Sequence, residues 1–334
     1  MNIAIDVMGG DHAPKEPVQG ALEAAREWPD VELTLVGDEA KLRPLLAGAP
    51  SNVRVHHAAE TIEAEDEPVR AVRRKKDSSM VVAGTLVKTK QASAMISAGN
   101  TGALMTTGLL VVGRIAGIER PALASMLPSA SDSGILALDL GANMDASPQQ
   151  LLQYAIMGSI YRSRVDGIER PRVGLLNVGT EPGKGNELTK ACFPLLEQAP
   201  IHFAGNVEAR DVLKGACDVL VCDGFAGNIM LKSLEGAASF IFSALKTEFT
   251  RTTLTKLAAG ILKPGLSRFR KKMDYTEYGA APLLGIDGLV LKCHGSSDAK
   301  AFKNAVRQAR IAVNNRLVGA ISDEFSKWEA GEPK

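Results

Sequence analysis

The sequence has no excess charge of either sign: 39 Lys and Arg offset 38 Asp and Glu, leaving a formal net charge of +1. Proteins that grip nucleic acid through its phosphates carry a stronger positive balance, so nucleic-acid binding is not expected. Cysteine is scarce as well. Cys192, Cys217, Cys222 and Cys293 lack the short paired spacing of a structural zinc site, and a 334-residue chain buries enough core to fold without disulfides. No uninterrupted apolar run is long enough to span a bilayer. The start, MNIAIDVMGGDHAP, has no basic region leading into a long apolar core and is read as lacking a signal peptide. These absences point to a reducing cytoplasm.

The signatures of several chemistries are missing too. Neither the dinucleotide-binding glycine fingerprint nor the P-loop spacing is satisfied. There is no G-x-S-x-G elbow to raise a nucleophilic serine, and no dense carboxylate cluster or histidine pair at helical spacing. Cys293 precedes His294, but neighbours on a strand point to opposite faces, which argues against a nucleophile–base pair. Neither a metal nor a cofactor is expected.

What the sequence does contain is a regular alternation. Short apolar runs at 2–6, 31–37, 53–57, 93–97, 122–128, 134–140, 172–178, 218–223 and 288–293 read as strands. Helical patterns lie between them at 16–27, 101–116, 147–164, 225–250 and 298–316. Near-continuous apolar strands spaced by helices predict an α/β fold, a mostly parallel sheet with helices on both faces. Residues 60–77, acidic then basic, read most simply as a solvated helix whose charges complement its dipole, with a partner-binding face as the other reading. The pentapeptide GIERP occurs at 117–121 and 167–171, each time before a strand, and carries no functional weight.

Six strand ends run into Gly, Asp, Asn or Ser: AIDVMGGDHAP, MISAGNTGA, LALDLGANMD, LLNVGTEPGKGN, VCDGFAGN and LKCHGSSD. In parallel α/β sheets the carboxyl ends of strands line the crevice where ligands bind. In the second loop, Ser97 precedes Gly99 and Gly102, which allow close backbone approach, while Asn100 and Thr101 can cap a helix. That stretch fits either an anion held at a helix start or an ordinary strand-to-helix turn. Lys184, between glycines beside Glu181, either neutralises phosphate or is a solvated lysine in a flexible turn. Asn228 and Lys232 lie one helical turn apart, and His294, Ser296 and Ser297 precede the last long helix as an N-cap arrangement. Asp6, Asp11 and His12, two carboxylates near a histidine, could suggest metal binding or acid–base work, or Asp6 could simply close a strand and Asp11 cap a turn.

Residues 251–273, RTTLTKLAAGILKPGLSRFRKKM, hold seven basic and no acidic residues, interleaved with Leu254, Leu257, Ile261, Leu262, Leu266, Phe269 and Met273. Pro264-Gly265 is expected to break the stretch into two short helices, a basic amphipathic hairpin. Such a hairpin fits an anionic membrane surface, and equally a dimer interface with a solvated basic face.

Together DVMGGDHAP (6–14), SAGNTGA (97–103), DLGANMD (139–145), LLNVGTEPGKGN (175–186), residues 206–236, YGAAPLLG (278–285) and HGSSDAKAFKNA (294–305) resemble the PlsX-type phosphate acyltransferases of bacterial phospholipid synthesis. The match runs from near residue 1 to about 316. It departs at Ala280, where a second glycine is expected, and at Val7, where alanine is common. The resemblance implies a single bilobed catalytic domain over 1–334 with an isocitrate/isopropylmalate dehydrogenase-like fold, related in architecture to phosphate acetyltransferases. It implies transfer of a fatty acyl group from acyl carrier protein to inorganic phosphate in a cytoplasmic, peripherally membrane-associated homodimer. The acyl phosphate would pass to a membrane glycerol-3-phosphate acyltransferase. Catalytic roles fall on Lys184, Asn228 and His294. Substrate binding falls on Ser97, Asn100, Thr101 and Gly102, with Asn143, Lys232, Ser296 and Ser297. Asp6 and Asp11 would support them, and Leu254, Leu257, Ile261 and Leu262 would face the membrane. Rival readings are another enzyme of this fold, such as a phosphate acetyltransferase or a dehydrogenase, and a non-catalytic membrane scaffold acting through 251–273.

Overall fold

A computed structural model describes residues 1–130, 133–273 and 279–329, with backbone only for 267–273 and 328–329. The described strands are β1 (Asn2–Asp6), β2 (Glu32–Gly37), β3 (Val53–His57), β4 (Ala94–Ser97), β5 (Ala122–Leu123) and β6 (Ser125–Leu127). They continue as β7 (Ile135–Leu138), β8 (Arg172–Asn177), β9 (His202–Glu208), β10 (Val219–Val221), β11 (Ala281–Leu284) and β12 (Leu289–Lys292). The described helices are α1 (Lys15–Glu27), α2 (Glu39–Leu42), α3 (Pro68–Arg74), α4 (Ser79–Lys88), α5 (Thr101–Thr107) and α6 (Pro148–Asp166). After them come α7 (Glu187–Glu197), α8 (Ala209–Val212), α9 (Gly224–Phe249), α10 (Thr253–Met273), α11 (Ala299–Asn314) and α12 (Leu317–Glu329).

The chain forms two compact units: Met1–Ser125 with Ile156–Pro171 and Tyr278–Lys334, and Met126–Ala155 with Arg172–Glu277. The first holds a seven-stranded sheet in the order β3-β2-β1-β4-β12-β11-β5. Its first five strands are parallel; β11 runs antiparallel to both β12 and β5. Strands β4 and β12 are buried along their whole length, as expected where helices cover both faces. Met80 and Leu104 from the helices pack on Ala4, Met95 and Val290 from the strands. The second unit holds the order β6-β7-β10-β8-β9, with β7, β10, β8 and β9 parallel. Its core gathers Ile135, Val212, Leu220 and Met230.

Four expectations need correction. The run 122–128 is not one strand: β5 joins the first sheet and β6 the second, and between them the Ala124 N–H turns to the Pro282 carbonyl (2.9 Å). The helix expected over 60–77 covers only α3, because Pro68 sets its first turn and the Glu67 carboxylate caps it through the N–H groups of Val69 and Arg70. Pro264 does not break the hairpin. It lies inside α10, which runs unbroken from Thr253 to Met273. The hairpin's turn is at 250–252, between α9 and α10. The N-cap of α11 is Asp298, whose carboxylate accepts from the Ala301 N–H (2.9 Å), not Ser296 or Ser297. Ala280 proves easily placed: the left-handed φ of +103° falls on Gly279 before it.

Candidate active site

The six polar strand ends sort three to each unit, and in each they sit on adjacent parallel strands. In the first unit these are β1, β4 and β12; in the second, β7, β10 and β8. In the first sheet the strand order reverses between β1 and β4, the position where open α/β sheets part to admit a ligand.

At that reversal the loops touch. A Cβ on Gly9 would lie 2.7 Å from the Gly99 nitrogen, so the two backbones meet only because residue 9 has no side chain. Asp6, buried at the end of β1, accepts from the Ser97 hydroxyl (2.6 Å) and the Met8 N–H (3.2 Å). The Ser97 oxygen in turn accepts from the Gly99 N–H (3.0 Å). Burial holds the Asp6 carboxyl above its ordinary range, partly countered by these donors. Asp11 is exposed, and its N–H donates to the Gly295 carbonyl (2.8 Å), tying the loop after β1 to the loop after β12. His12 is exposed beside it. In the β12 loop, His294 Nδ1 pairs with the Ser296 hydroxyl at 2.8 Å, both residues lying toward solvent. Ser297 is buried and its N–H donates to the His294 carbonyl.

Asn100 is committed to structure. Its side-chain oxygen caps α5 through the Ala103 N–H (3.0 Å), and its amide donates to the carbonyls of Ala64 (2.9 Å) and Asp66 (3.2 Å). The N–H groups of Thr101 and Gly102, the first two of α5, have no acceptor within the helix. Sequence reasoning passed over Lys292. This lysine ends β12, is buried, and donates from Nζ to the carbonyls of Ala98 (3.3 Å) and Cys293. Burial lowers its pKa, while Cys293, Asp6 and Asp11 pull it back up. The available signal was a lone cation closing an otherwise apolar strand, LVLK, just before CHGSSD.

In the second unit, Asp139 is buried beyond β7 and accepts from the N–H groups of Gly141 (3.1 Å), Ala142 (3.0 Å) and Asn143 (2.5 Å). Burial raises its pKa against those donors. Asn143 is fixed by Gln150 (2.8 Å) and Tyr154 (3.2 Å), and its carbonyl accepts from the Gly224 N–H at the start of α9. Asn228, half-buried one turn into α9, faces Gly141: a Cβ there would lie 3.4 Å from its Oδ1. The loop after β8 carries Lys184, exposed, with its N–H donating to the Glu181 carbonyl (3.1 Å). Lys232 is exposed and its ammonium is held by Glu235 (2.8 Å), so it does not join this group.

None of the thiols here is primed as a covalent nucleophile. The four cysteines are buried thiols, and burial pushes Cys192 and Cys293 up to about 12. Among the described residues no group of three His, Cys, Asp or Glu could hold a metal. On the hairpin, Leu254, Leu257, Ile261 and Leu262 are all exposed, Ile261 by 81%. The side chains of Phe269 and Met273, and the whole of Tyr278, lie outside the described residues. Among the described residues no helix is long and apolar enough to cross a membrane.

A model of a family described as "Fatty acid synthesis protein" matches residues 1–319. The chain belongs to that family. Within it, a phosphate acyltransferase of Brevibacillus brevis is 60% identical over 333 residues, covering 99% of each chain. One from Halalkalibacterium halodurans is 56% identical over 331 residues, covering 99% of this chain and 98% of its own. The family member described here is an acyltransferase. Its fold matches a phosphotransacetylase from Streptococcus pyogenes, with a TM-score of 0.60, 15% identity and 94% of each chain covered. A branched-chain phosphotransacylase from Enterococcus faecalis matches with a TM-score of 0.55 at 14% identity, covering 93% of this chain and 99% of its own.

Proposed function

We infer that the protein transfers a fatty acyl group from the thioester of acyl carrier protein to inorganic phosphate. The products are acyl phosphate and the carrier's free thiol, and they serve phosphatidic acid and phospholipid synthesis. The observation that carries this reading is the pairing of polar strand ends with buried, unreactive thiols: the edges are furnished to hold and orient an anion. Phosphate is itself an adequate nucleophile, so alignment with the thioester carbonyl suffices. A phosphate oxygen attacks the carbonyl carbon, forming C–O. The carbonyl oxygen carries the charge until the C–S bond breaks, and the departing thiolate takes a proton. Donors aimed at that developing oxyanion supply the rate enhancement.

The roles divide as follows. In the first unit, the N–H groups of Thr101 and Gly102 bind phosphate, the loop being held by Asn100, Ser97 and Asp6, with positive charge from Lys292, and the His294–Ser296 pair with Ser297 offers further donors. In the second unit, Lys184 supplies positive charge, and Asn143 and Asn228 are the donors for a thioester or phosphate oxygen. Asp11 positions the β12 loop. The protein acts as a homodimer, docks the acidic carrier, and hands acyl phosphate to a membrane glycerol-3-phosphate acyltransferase. The exposed apolar stripe of α10 beside Arg251, Lys256 and Lys263 favours peripheral contact with an anionic membrane.

Mass-spectrometric detection of acyl phosphate from palmitoyl carrier protein and orthophosphate tests the reaction. Lys184→Ala and Asn228→Ala are each expected to lower kcat/KM about ten- to a hundredfold, the worth of one charge-assisted hydrogen bond. Thiol release without acyl phosphate would overturn the assignment.

A further inference from the structure

The second unit contains a cavity of about 1050 Å³ that the roles above leave unused. One wall is a stripe of α9 formed by Phe225, Ala226, Ile229, Met230, Ser233 and Leu234. These positions recur at one face of a helix and run about 14 Å along its axis. The facing wall comes from the end of β8 and the start of α7, through Leu176, Val178, Leu188 and Thr189, and Met144 closes a third side. The cavity begins at the carboxyl edge, since Asp145, Asn177 and Asp223 also line it, and these border the loops that carry Asn143, Lys184 and Asn228.

Its chemistry changes with depth. At the rim, Met144 is 49% exposed and Val178, Phe225 and Ile229 are more than half exposed, a concentration of apolar surface of the kind that marks a ligand or interaction site. At the floor, Met230 is 7% exposed and Thr189 is buried, with its hydroxyl spent on Asn186. Of the charged groups on the lining, Asp223 caps α9, Arg210 pairs with Glu208, and Asp145 is exposed at the carboxyl edge. The interior therefore offers area but little to recognise a polar ligand. Concave, apolar and of this volume, it has the form of a small-molecule site rather than a flat protein interface.

We propose that this cavity holds the alkyl chain of the acyl donor, and that the α9 stripe from Phe225 to Leu234 sets the chain length the enzyme accepts. This rests on the acyl-transfer reading. The thioester would stay at the carboxyl edge while the chain runs down α9 toward Met230. Each methylene that reaches the wall is worth about a fourfold gain in affinity. Selectivity then rises with chain length until the floor is met.

Ser233 and Ile229 are exposed, so Ser233→Phe and Ile229→Asn change the groove without opening the core. Binding of cis-parinaric acid to the full chain, followed by fluorescence, reads the cavity without turnover. Wild type is expected to bind saturably, and both variants about sixteenfold more weakly, the equivalent of two methylenes. The ratio of kcat/KM for palmitoyl over butyryl carrier protein should fall in Ser233→Phe by the same factor. Unchanged parinaric binding in both variants would overturn the proposal. So would a Ser233→Phe chain that loses a dimer seen by sedimentation while keeping its chain-length ratio, because a second copy would then be what covers the groove. If wild type bound parinaric acid in this groove yet formed no acyl phosphate from any donor, the reaction assignment would fall and the apolar site would stand.

Discussion

Asp6 and Asp139 each lie buried just where a parallel strand ends, each gathers backbone N–H groups from the loop that follows, and each is held above its usual pKa by burial. Such a carboxyl binds its proton more tightly folded than unfolded. Its contribution to stability is therefore full below the unfolded value of 3.8 and is lost as pH rises through the raised folded value. Asp139→Asn removes that titration. Urea midpoints taken across pH should show the variant gaining on wild type as pH climbs through this window, then running parallel to it. Asn100 tests a different residue-scale point, since its cap and its bonds to the 64–66 carbonyls hold the turn that would carry phosphate. Asn100→Ala should cost about 2 kcal/mol in urea denaturation, one cap plus one net hydrogen bond.

At the scale of elements, the polar strand ends were readable because glycine, asparagine and aspartate directly after an apolar run have a local meaning. What escaped was set by distant partners. Asn100 reads as an anion ligand until the loop 36 residues earlier takes its amide. Ser296 and Ser297 read as caps, but Asp298 lies nearer the helix start and Glu16 of α1 takes the Ala299 N–H (2.9 Å). Strand β9 went unread because its first four residues alternate exposed and half-buried at a sheet edge, and it is interrupted by Gly205 at positive φ, where its register against β8 shifts. Strand β11 is short, starts near a proline and runs antiparallel, outside the pattern of the others. Residues 251–273 were readable as basic and amphipathic, though not as one long helix. Leu257→Glu with Ile261→Glu alters two side chains that are 67% and 81% exposed, so stability should stay within about 0.5 kcal/mol of wild type. Flotation with anionic liposomes should be lost in that variant; undiminished flotation would remove the hairpin as the membrane contact.

For the molecule as a whole, each unit contributes one sheet whose adjacent parallel strands end in polar loops, and the second adds an apolar cavity beside such loops. On the proposed reading no residue carries the acyl group covalently, and phosphate meets the thioester directly. Isotope exchange is the most direct measurement of that claim. Acyl carrier protein is incubated with the enzyme and isotopically labelled free carrier, in buffer stripped of phosphate, and incorporation of label into acyl carrier is followed. The account predicts no incorporation until orthophosphate is added, and then incorporation that saturates with its concentration. Incorporation in phosphate-free buffer would mean that the acyl group rests on the protein, and would contradict it.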